Sequence, residues 1–318
     1  MSVAAAENRT LAPLSRRTAE VISNEQLGAY RLLRAADHGG PSDPRPGQFY
    51  MLAAESEWGG GEDERPYLPR AFSFARVRAG DGGSPELDFL LDAIGPGTAR
   101  LATLERGEGL RLVGPLGRGF DLPRGGTRTL LVGGGIGIAP LLCLQDELTL
   151  ADTATQSGTL GRAHPSGHTH PDTGRQAGRQ AGSAGAAEAL LGFRSAAHAQ
   201  AAELFSGTSA VTTDDGSAGH AGLVTDLLRK RLASGDGSTE PPAVFACGPP
   251  GMLEAVRALC ADAGIPAQLA LESGMACGFG ACFGCVVPTR DGYLRLCVDG
   301  PVVEAERLES ALFPGAGH

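Results

Sequence analysis

Residues 269–301 read LALESGMACGFGACFGCVVPTRDGYLRLCVDGP and contain four of the seven cysteines of the chain. These four are Cys277, Cys282, Cys285 and Cys297, in the spacing C-x4-C-x2-C-x11-C. The residues between the first three cysteines are mostly small, and they include Gly278, Gly280, Ala281 and Gly284. Small residues permit a tight loop whose backbone amides approach a bound group closely. The stretch therefore predicts a compact module with four thiolate ligands.

The C-x4-C-x2-C spacing is typical of a [2Fe-2S] cluster, in which four thiolates hold two irons. A zinc knuckle is one alternative, but structural zinc sites usually contain two separated C-x2-C pairs. A disulfide pair is the other alternative. No N-terminal stretch resembles a secretory signal, so we expect a reducing, cytoplasmic location that disfavours disulfides. We predict Cys277, Cys282, Cys285 and Cys297 as ligands of a [2Fe-2S] cluster.

The composition limits the classes of partner. A chain of 318 residues has room for two ordinary domains and a small module. The net charge of −9 and the lack of a basic run argue against nucleic acid as a partner. No apolar run approaches the roughly 20 residues of a membrane span, so we expect no membrane association.

Residues 15–125 carry the pattern of a small antiparallel β-barrel. Short apolar or alternating runs are separated by turns rich in Gly, Pro and acidic residues, a pattern that predicts such a barrel. The predicted strands are Ala19–Ser23, Ala29–Ala35, Gln48–Ala54, Ala71–Val77 and Glu86–Ala93.

Two motifs in this region are candidate binding elements. In Arg70-Ala71-Phe72-Ser73, Arg70 and Ser73 would point to opposite faces of a regular strand. Both can bind one ligand only if the chain bends or the ligand reaches round the strand end. Gly95-Pro96-Gly97-Thr98 precedes a predicted helix at Ala99–Leu104, with Thr98 as its N-cap. Free amides at a helix start bind anions or ring carbonyls. A surface ion pair and a simple capped turn remain the alternatives for these two motifs.

Residues 126–268 carry the pattern of a doubly wound α/β domain with a parallel sheet. A strand at Thr129–Val132 leads into the loop GGGIGIAP, residues 133–140, and a helix at Leu141–Leu148 follows. This order predicts a dinucleotide phosphate site at Gly133, Gly134, Gly135 and Gly137. Further strands are predicted at Ala189–Arg194, Ala210–Thr213 and Ala243–Ala246, followed by helices at Ala196–Leu204, at Leu223–Ala233 and up to Ala263.

Two other features of this domain stand out. The turn Cys247-Gly248-Pro249 follows a strand at its carboxyl end, where ligands bind in open α/β sheets. Residues 151–187 are rich in Gly, Ala, Ser, Thr, Gln, Arg and His, with little apolar surface to offset the entropy of ordering. We predict a disordered insertion there.

The barrel and the nucleotide domain resemble the ferredoxin reductase family. The similar motifs are Pro46-Gly47-Gln48-Phe49, Arg70–Ser73, Gly95–Thr98, Gly114-Pro115-Leu116-Gly117, GGGIGIAP and CGPPGM. The resemblance implies that Arg70, Ala71, Phe72 and Ser73 bind FAD and that Gly95, Gly97 and Thr98 lie against the flavin. It also implies that Gly133–Gly137 bind NAD(H) phosphates and that Cys247, Gly248 and Pro249 border the nicotinamide. Ala71 departs from the family, which usually has Pro or a similar residue there.

The order of barrel, nucleotide domain and cluster module resembles the electron transfer subunits of NAD-dependent dihydroorotate dehydrogenase over about residues 17–304. The most specific stretches are LESGMACGFGACFGC followed by CVDGP, LLGFRS and TTDDGSAGHAGLVTDLL. Gly274, where the family often has a basic residue, and the insertion at 151–187 are departures. The first could alter how the cluster loop meets its surroundings.

This resemblance implies a division of labour in pyrimidine biosynthesis. Electrons from dihydroorotate would pass from FMN in a separate catalytic subunit through the cluster and FAD to NAD, in a heterotetramer with two copies of each chain. The chain lacks the roughly 250 further residues of an FMN-bearing (β/α)8 barrel. The alternatives are the small subunit of an NADH-dependent ferredoxin:NADP oxidoreductase or of a sulfhydrogenase-like complex, and a non-catalytic assembly protein with structural zinc.

Overall fold

A computed structural model describes residues 15–59, 66–80, 83–123, 127–156, 187–207, 209–233 and 241–316. Within these ranges no helix is both long enough and apolar enough to span a bilayer.

The first sheet has seven antiparallel strands in the order β4-β3-β7-β1-β2-β6-β5. The strands are β1 (Arg16–Leu27), β2 (Tyr30–Ala36), β3 (Phe49–Ala54), β4 (Arg70–Ser73), β5 (Arg76–Ala79), β6 (Pro85–Leu91) and β7 (Gly109–Leu116). The two edge strands, β4 and β5, are joined by only Phe74 and Ala75. So short a link requires the sheet to curl until its edges meet, and the predicted antiparallel barrel is confirmed. Tyr50 fills its interior with edge-to-face contacts to Phe74 and Phe89, at centroid distances of 6.0 and 5.8 Å.

The structure corrects two strand predictions in the barrel. The run predicted as one strand at Ala71–Val77 is two strands, because the buried Phe74 and Ala75 carry the chain from one edge of the sheet to the other. The central strand β7 was not predicted. Its residues Leu110 and Leu112 are buried in alternation, but Pro115 near its end is unusual inside a sheet and weakens the strand pattern.

Helix α1 (Pro96–Ala102) begins earlier than predicted. Its N-cap is Gly95, and Thr98, predicted to be the N-cap, is the third helical residue. The Thr98 hydroxyl accepts a hydrogen bond from the Gly95 N–H at 3.1 Å, which is the reciprocal half of a capping box. Pro96 at the first helical position explains the start, because proline favours that position.

The second sheet is mainly parallel and covered by helices on both faces. Its strands are β8 (Thr129–Gly134), β9 (Glu188–Phe193), β10 (Ser209–Thr213), β11 (His220–Ala221), β12 (Ala243–Cys247) and β13 (Ala267–Ala270). The helices are α2 (Ala139–Gln156), α3 (Ala196–Ala199), α4 (Val224–Ala233) and α5 (Pro250–Ala263). Residues of α2 pack with Leu131, Leu191 and Phe245, whereas residues of α4 and α5 pack with the alternate strand residues Leu130 and Val244. The predicted doubly wound arrangement is confirmed.

Helix α2 extends further than the predicted Leu141–Leu148. It ends at Gln156, so the first six residues of the predicted 151–187 insertion belong to its last turns. Residues 157–186 of that prediction lie outside the described residues.

The cysteine-rich module is tied to both sheets. It contains the hairpin β14 (Val286–Thr289) and β15 (Gly292–Arg295), helix α6 (Leu296–Asp299) and strand β16 (Val302–Glu304). Strand β16 pairs antiparallel with β13 at the edge of the second sheet, giving the order β11-β10-β9-β8-β12-β13-β16. A Cβ on Gly278 of the cysteine loop would lie 2.5 Å from Met51 Cγ, so this loop packs directly on the barrel.

Candidate functional site

A cleft of about 740 Å³ lies where the barrel, the nucleotide domain and the cysteine module meet. Its lining includes residues from five stretches singled out in the sequence, namely Arg70–Ser73, Gly95–Thr98, the GGGIGIAP loop, the Cys247 turn and the cysteine stretch: Arg70, Ala71, Phe72, Ser73, Gly95, Thr98, Ile136, Gly137, Ala139, Pro140, Cys247, Met275, Ala276 and Gly284. These motifs are up to 214 residues apart in the chain, from Arg70 to Gly284, and the fold brings them to one cavity. A pocket of this size at a domain junction is suited to a flavin ring and a nucleotide.

The barrel side of the cleft is built around Arg70. Its guanidinium donates a hydrogen bond to the Leu68 carbonyl at 2.5 Å and lies 5.9 Å from the centre of the Trp58 ring. No carboxylate among the described residues forms an ion pair with it, so the surface ion-pair alternative is not supported there. A Cβ on Gly97 would lie 2.7 Å from Arg70 Nε, so a side chain at position 97 would displace the Arg70 guanidinium from its place beside α1. The guanidinium is therefore available to an anionic ligand.

Arg70 and Ser73 line the same cleft although they are three positions apart in the chain. Strand β4 ends at Ser73, and the chain turns away at Phe74. This turn supplies the bend that the sequence required.

The nucleotide loops meet at the point where the strand order of the second sheet reverses. The loop after β8 and the loop after β12 are neighbours, because these strands pair with Gly133 opposite Cys247. A Cβ on Gly137 would lie 2.6 Å from Gly248 Cα, and one on Gly134 would lie 2.9 Å from Pro249 Cδ. Only glycine permits so close an approach of the two loops. Such a switch point is the usual ligand site of open α/β sheets.

Not every predicted residue lines the cleft. Gly137 and Cys247 do, whereas Gly97, Gly133, Gly134, Gly135, Gly248 and Pro249 are not part of its lining. The glycines contribute by close packing: a Cβ on Gly133 would lie 2.8 Å from Ile138 Cγ2. The Cys247 thiol is buried, and burial raises its pKa well above the usual value, so the group is neutral.

Three cleft or near-cleft residues were not predicted from the sequence. Glu272 lines the cleft directly after β13, and desolvation there raises its pKa to about 7. Asp92 also lines the cleft and pairs with Arg194 at 3.3 Å. Tyr30 is buried below the glycine loop, and burial raises its pKa to about 12. Glu272 could have been found by the rule that identified Cys247, because it also follows the carboxyl end of a strand.

The four cysteines of the module lie together in two pairs. Cys277 lies beside Cys282, and Cys285 lies beside Cys297. The Cys297 N–H donates to Cys285 Sγ at 3.4 Å. Among the described residues, no three His, Cys, Asp or Glu side chains converge on one metal-ion position. Two pairs of thiols suit two irons better than one zinc ion.

The cysteine loop also directs backbone donors at its sulfur atoms. Burial opposes ionisation of Cys277, but the nearby backbone of Cys282, Phe279 and Ala281 and the side chain of Cys282 outweigh this effect and lower the pKa of the Cys277 thiol to about 6. Gly278 and Gly280 have φ values of 78° and 87°, a conformation that favours glycine and turns these amides inward. Thiolates that accept amide hydrogen bonds are the donors a [2Fe-2S] cluster requires. The residues present fit the cluster.

Comparison with known proteins agrees with this arrangement. Residues 272–309 match the model of the iron-sulfur cluster binding domain of dihydroorotate dehydrogenase B. The electron transfer subunit of dihydroorotate dehydrogenase B (NAD(+)) from Caldanaerobacter subterraneus subsp. tengcongensis is 30% identical over 296 residues, which cover 91% of this chain and 97% of the relative. The corresponding subunit from Bacillus caldolyticus is 34% identical over 270 residues, covering 82% and 85%.

Solved structures show the same fold. The structure of an NADH-dependent reduced ferredoxin-NADP oxidoreductase has a TM-score of 0.65 at 21% identity and covers 92% of this chain and 90% of its own. A ferredoxin NADP+ reductase from Neisseria gonorrhoeae with bound FAD and NADP has a TM-score of 0.53 at 16% identity, covering 78% and 92%.

The fold and the site define an electron-transfer component of an oxidoreductase with an iron-sulfur cluster binding domain. Within that class, the chain belongs to the family of electron transfer subunits of NAD-dependent dihydroorotate dehydrogenase B.

Proposed function

We propose that this chain accepts electrons from an FMN-bearing catalytic subunit that oxidises dihydroorotate, and delivers them through a [2Fe-2S] cluster and FAD to NAD. The observation that carries the proposal is the single cleft lined by Arg70–Ser73, by Gly137 and Cys247, and by Met275 of the cysteine loop. This cavity contacts the barrel, the nucleotide domain and the cysteine module. Electron carriers bound there would lie close together, so electrons would cross only a short distance between the cluster and the nucleotide.

The residues of the barrel would hold FAD. Arg70 would donate charge-assisted hydrogen bonds to the flavin phosphate, and the β4 backbone and Ser73 would lie along the flavin. Gly95, Gly97 and Thr98 at the start of α1 would lie against its ring. Bound flavin supplies the exchange between two-electron hydride transfer and one-electron transfer.

The residues of the second sheet would hold NAD(H). The backbone at Gly133–Gly137 would approach the nucleotide phosphates at the start of α2, where helix amides complement negative charge. Cys247, Gly248 and Pro249 would border the nicotinamide. The neutral Cys247 thiol would present a small, weakly polar wall to the ring.

Cys277, Cys282, Cys285 and Cys297 would hold the cluster, and the surface around it would receive the partner. Cys282 is exposed, and the neighbouring Phe279 and Phe283 are 50% and 64% exposed. Arg295 lies 5.6 Å from the centre of the Phe283 ring and flanks the apolar loop with a positive charge. Exposed aromatic residues beside an Arg are typical of a binding surface. We infer that this face docks the FMN-bearing subunit in a complex with two copies of each chain.

Purification of the tagged chain from its host tests this assignment. Co-elution of an FMN-containing (β/α)8 protein is the expected result. Co-elution of a much larger flavoprotein would instead favour the small subunit of an NADH-dependent ferredoxin:NADP oxidoreductase or of a sulfhydrogenase-like complex. A colourless protein with stoichiometric zinc would contradict the electron-transfer role and favour a structural one.

A further inference from the structure

Glu272 occupies a distinctive position in the cleft. It is the second residue after β13, whose Ala270 pairs with Cys247 of β12. The backbone around it is fixed, because the Leu271 N–H donates to the Pro301 carbonyl at 2.9 Å. Glu272 therefore lies between the nucleotide loop and the cysteine loop and is open to the cleft that both line.

The other titratable groups of the cleft do not neutralise Glu272. They are Arg70 from β4, Asp92 after β6 and Cys247 at the end of β12. Arg70 donates to the Leu68 carbonyl, Asp92 pairs with Arg194, and the Cys247 thiol is neutral. Glu272 itself has no ion pair or hydrogen bond to any described residue. Glu272 is exposed to the cleft and carries no partner there, so its carboxylate is available to pair with a cationic ligand.

The two redox forms of the nucleotide differ in the charge of the ring that would lie here. The oxidised nicotinamide ring carries a positive charge and the reduced ring is neutral. We propose that the Glu272 carboxylate selects the oxidised over the reduced nucleotide by pairing with the cationic nicotinamide ring. This inference rests on the proposed function, which puts the nicotinamide beside Cys247. It gives the site a bias toward the substrate NAD+ and toward release of NADH.

Selection by charge makes NAD+ affinity depend on pH. Loss of hydration in the cleft raises the pKa of Glu272 to about 7. The cationic ring favours the ionised carboxylate, so its binding lowers that pKa and releases a proton. NAD+ affinity is then highest above about pH 7 and falls as the pH decreases toward the lower pKa of the bound state. A neutral ring has no such preference.

The test is calorimetric titration of the oxidised, FAD-loaded chain with NAD+ and with 1,4,5,6-tetrahydro-NAD, an uncharged analogue that cannot reduce the flavin. We expect NAD+ to bind roughly three- to tenfold more tightly at about pH 8 than at about pH 6, with no change for the analogue. In Glu272→Gln, the affinity for NAD+ should fall to a similar extent and lose its pH dependence. Glu304→Gln is the matched control, because Glu304 is a half-buried glutamate with a pKa raised by burial that does not line the cleft.

The outcomes separate this inference from the function on which it rests. Equal pH dependence for the two ligands, or an unchanged pH dependence in Glu272→Gln, would overturn the selection by Glu272 and leave nucleotide binding intact. Failure of the wild-type chain to bind either ligand would overturn both. If Glu272→Gln does not fold, the pH dependence of NAD+ and analogue binding to the wild-type chain decides whether the carboxylate selects by charge.

Discussion

Arg70 is the only cationic side chain among the described residues that line the cleft. Its place beside Gly97 and α1 makes it the natural anchor of an anionic cofactor. We predict that Arg70→Ala lowers the affinity for FAD roughly tenfold to a hundredfold, because a charge-assisted hydrogen bond contributes about 1.5–3 kcal/mol. Arg78→Ala is the control, because Arg78 pairs with Asp88 on the same barrel but outside the cleft. The measurement is the fraction of flavin retained through dialysis. Full retention of flavin in Arg70→Ala would show that Arg70 is only a surface residue.

Cys282 is the exposed member of the first thiol pair. We predict that Cys282→Ser loses the cluster, which should hold about two irons per chain, and keeps FAD, because the barrel and not this loop contributes the flavin motifs Arg70–Ser73 and Gly95–Thr98. Iron analysis and the visible spectrum measure both cofactors. Cys260→Ala is the control, because Cys260 is a buried cysteine of helix α5 and is not one of the four cysteines of the module. Iron retained in Cys282→Ser would contradict the ligand assignment.

At the residue scale, the candidate ligand residues could be predicted from the sequence, whereas the burial and the contacts of single residues could not. Spacing was enough to bring Cys277 and Cys297 into one module, because ligand spacing follows from the geometry of the bound group. Thr98 was assigned to the wrong end of a capping box because Thr is typical of the N-cap, whereas Glu or Gln is usual at the third helical position that it occupies. The altered pKa of Glu272 and the burial of Tyr30 arise from contacts between domains, which no local pattern encodes.

At the scale of elements, the nucleotide site depends on two loops that touch backbone to backbone. We predict that Gly137→Ala weakens NAD+ binding about tenfold or more, because its Cβ would lie 2.6 Å from Gly248 Cα and would force the loops apart. Flavin content should be unchanged. Gly251→Ala is the matched control: its Cβ would meet no atom within 4 Å, and alanine should stabilise α5 slightly. Calorimetric titration with NAD+ compares the two. Equal affinities would mean that the glycine contact has no role in nucleotide binding.

Elements were predicted well where a local pattern was strong. The β8–loop–α2 unit follows from its apolar run and its glycines, and the parallel sheet follows from the alternation of strands and helices. Strand β7 was missed because Pro115 is unusual in a central strand. The return of the three-residue β16 to pair with β13 could not be predicted, because so short a strand is defined by its partner.

At the scale of the whole molecule, the three parts are held in a fixed relation by specific contacts. Arg76 of the barrel pairs with Asp146 of α2 at 2.8 Å and donates to the Leu204 carbonyl at 2.6 Å. The Gln268 side chain accepts from the Asp121 N–H at 2.9 Å and donates to its carbonyl at 3.0 Å. These contacts join the barrel side of the cleft to the second domain, while the Gly278 loop packs on Met51. These contacts stabilise the arrangement that brings the proposed flavin and cluster sites to one cleft.

The most direct test of the account is steady-state reduction of NAD by dihydroorotate, with and without the FMN-bearing catalytic subunit. The chain alone should reduce an artificial dye with NADH and should fail to oxidise dihydroorotate, because the described residues include no FMN barrel. Addition of the catalytic subunit should produce dihydroorotate-dependent NAD reduction, and Cys282→Ser should abolish that gain while it keeps dye reduction. Turnover of dihydroorotate by this chain alone, or no gain with the catalytic subunit, would contradict the account.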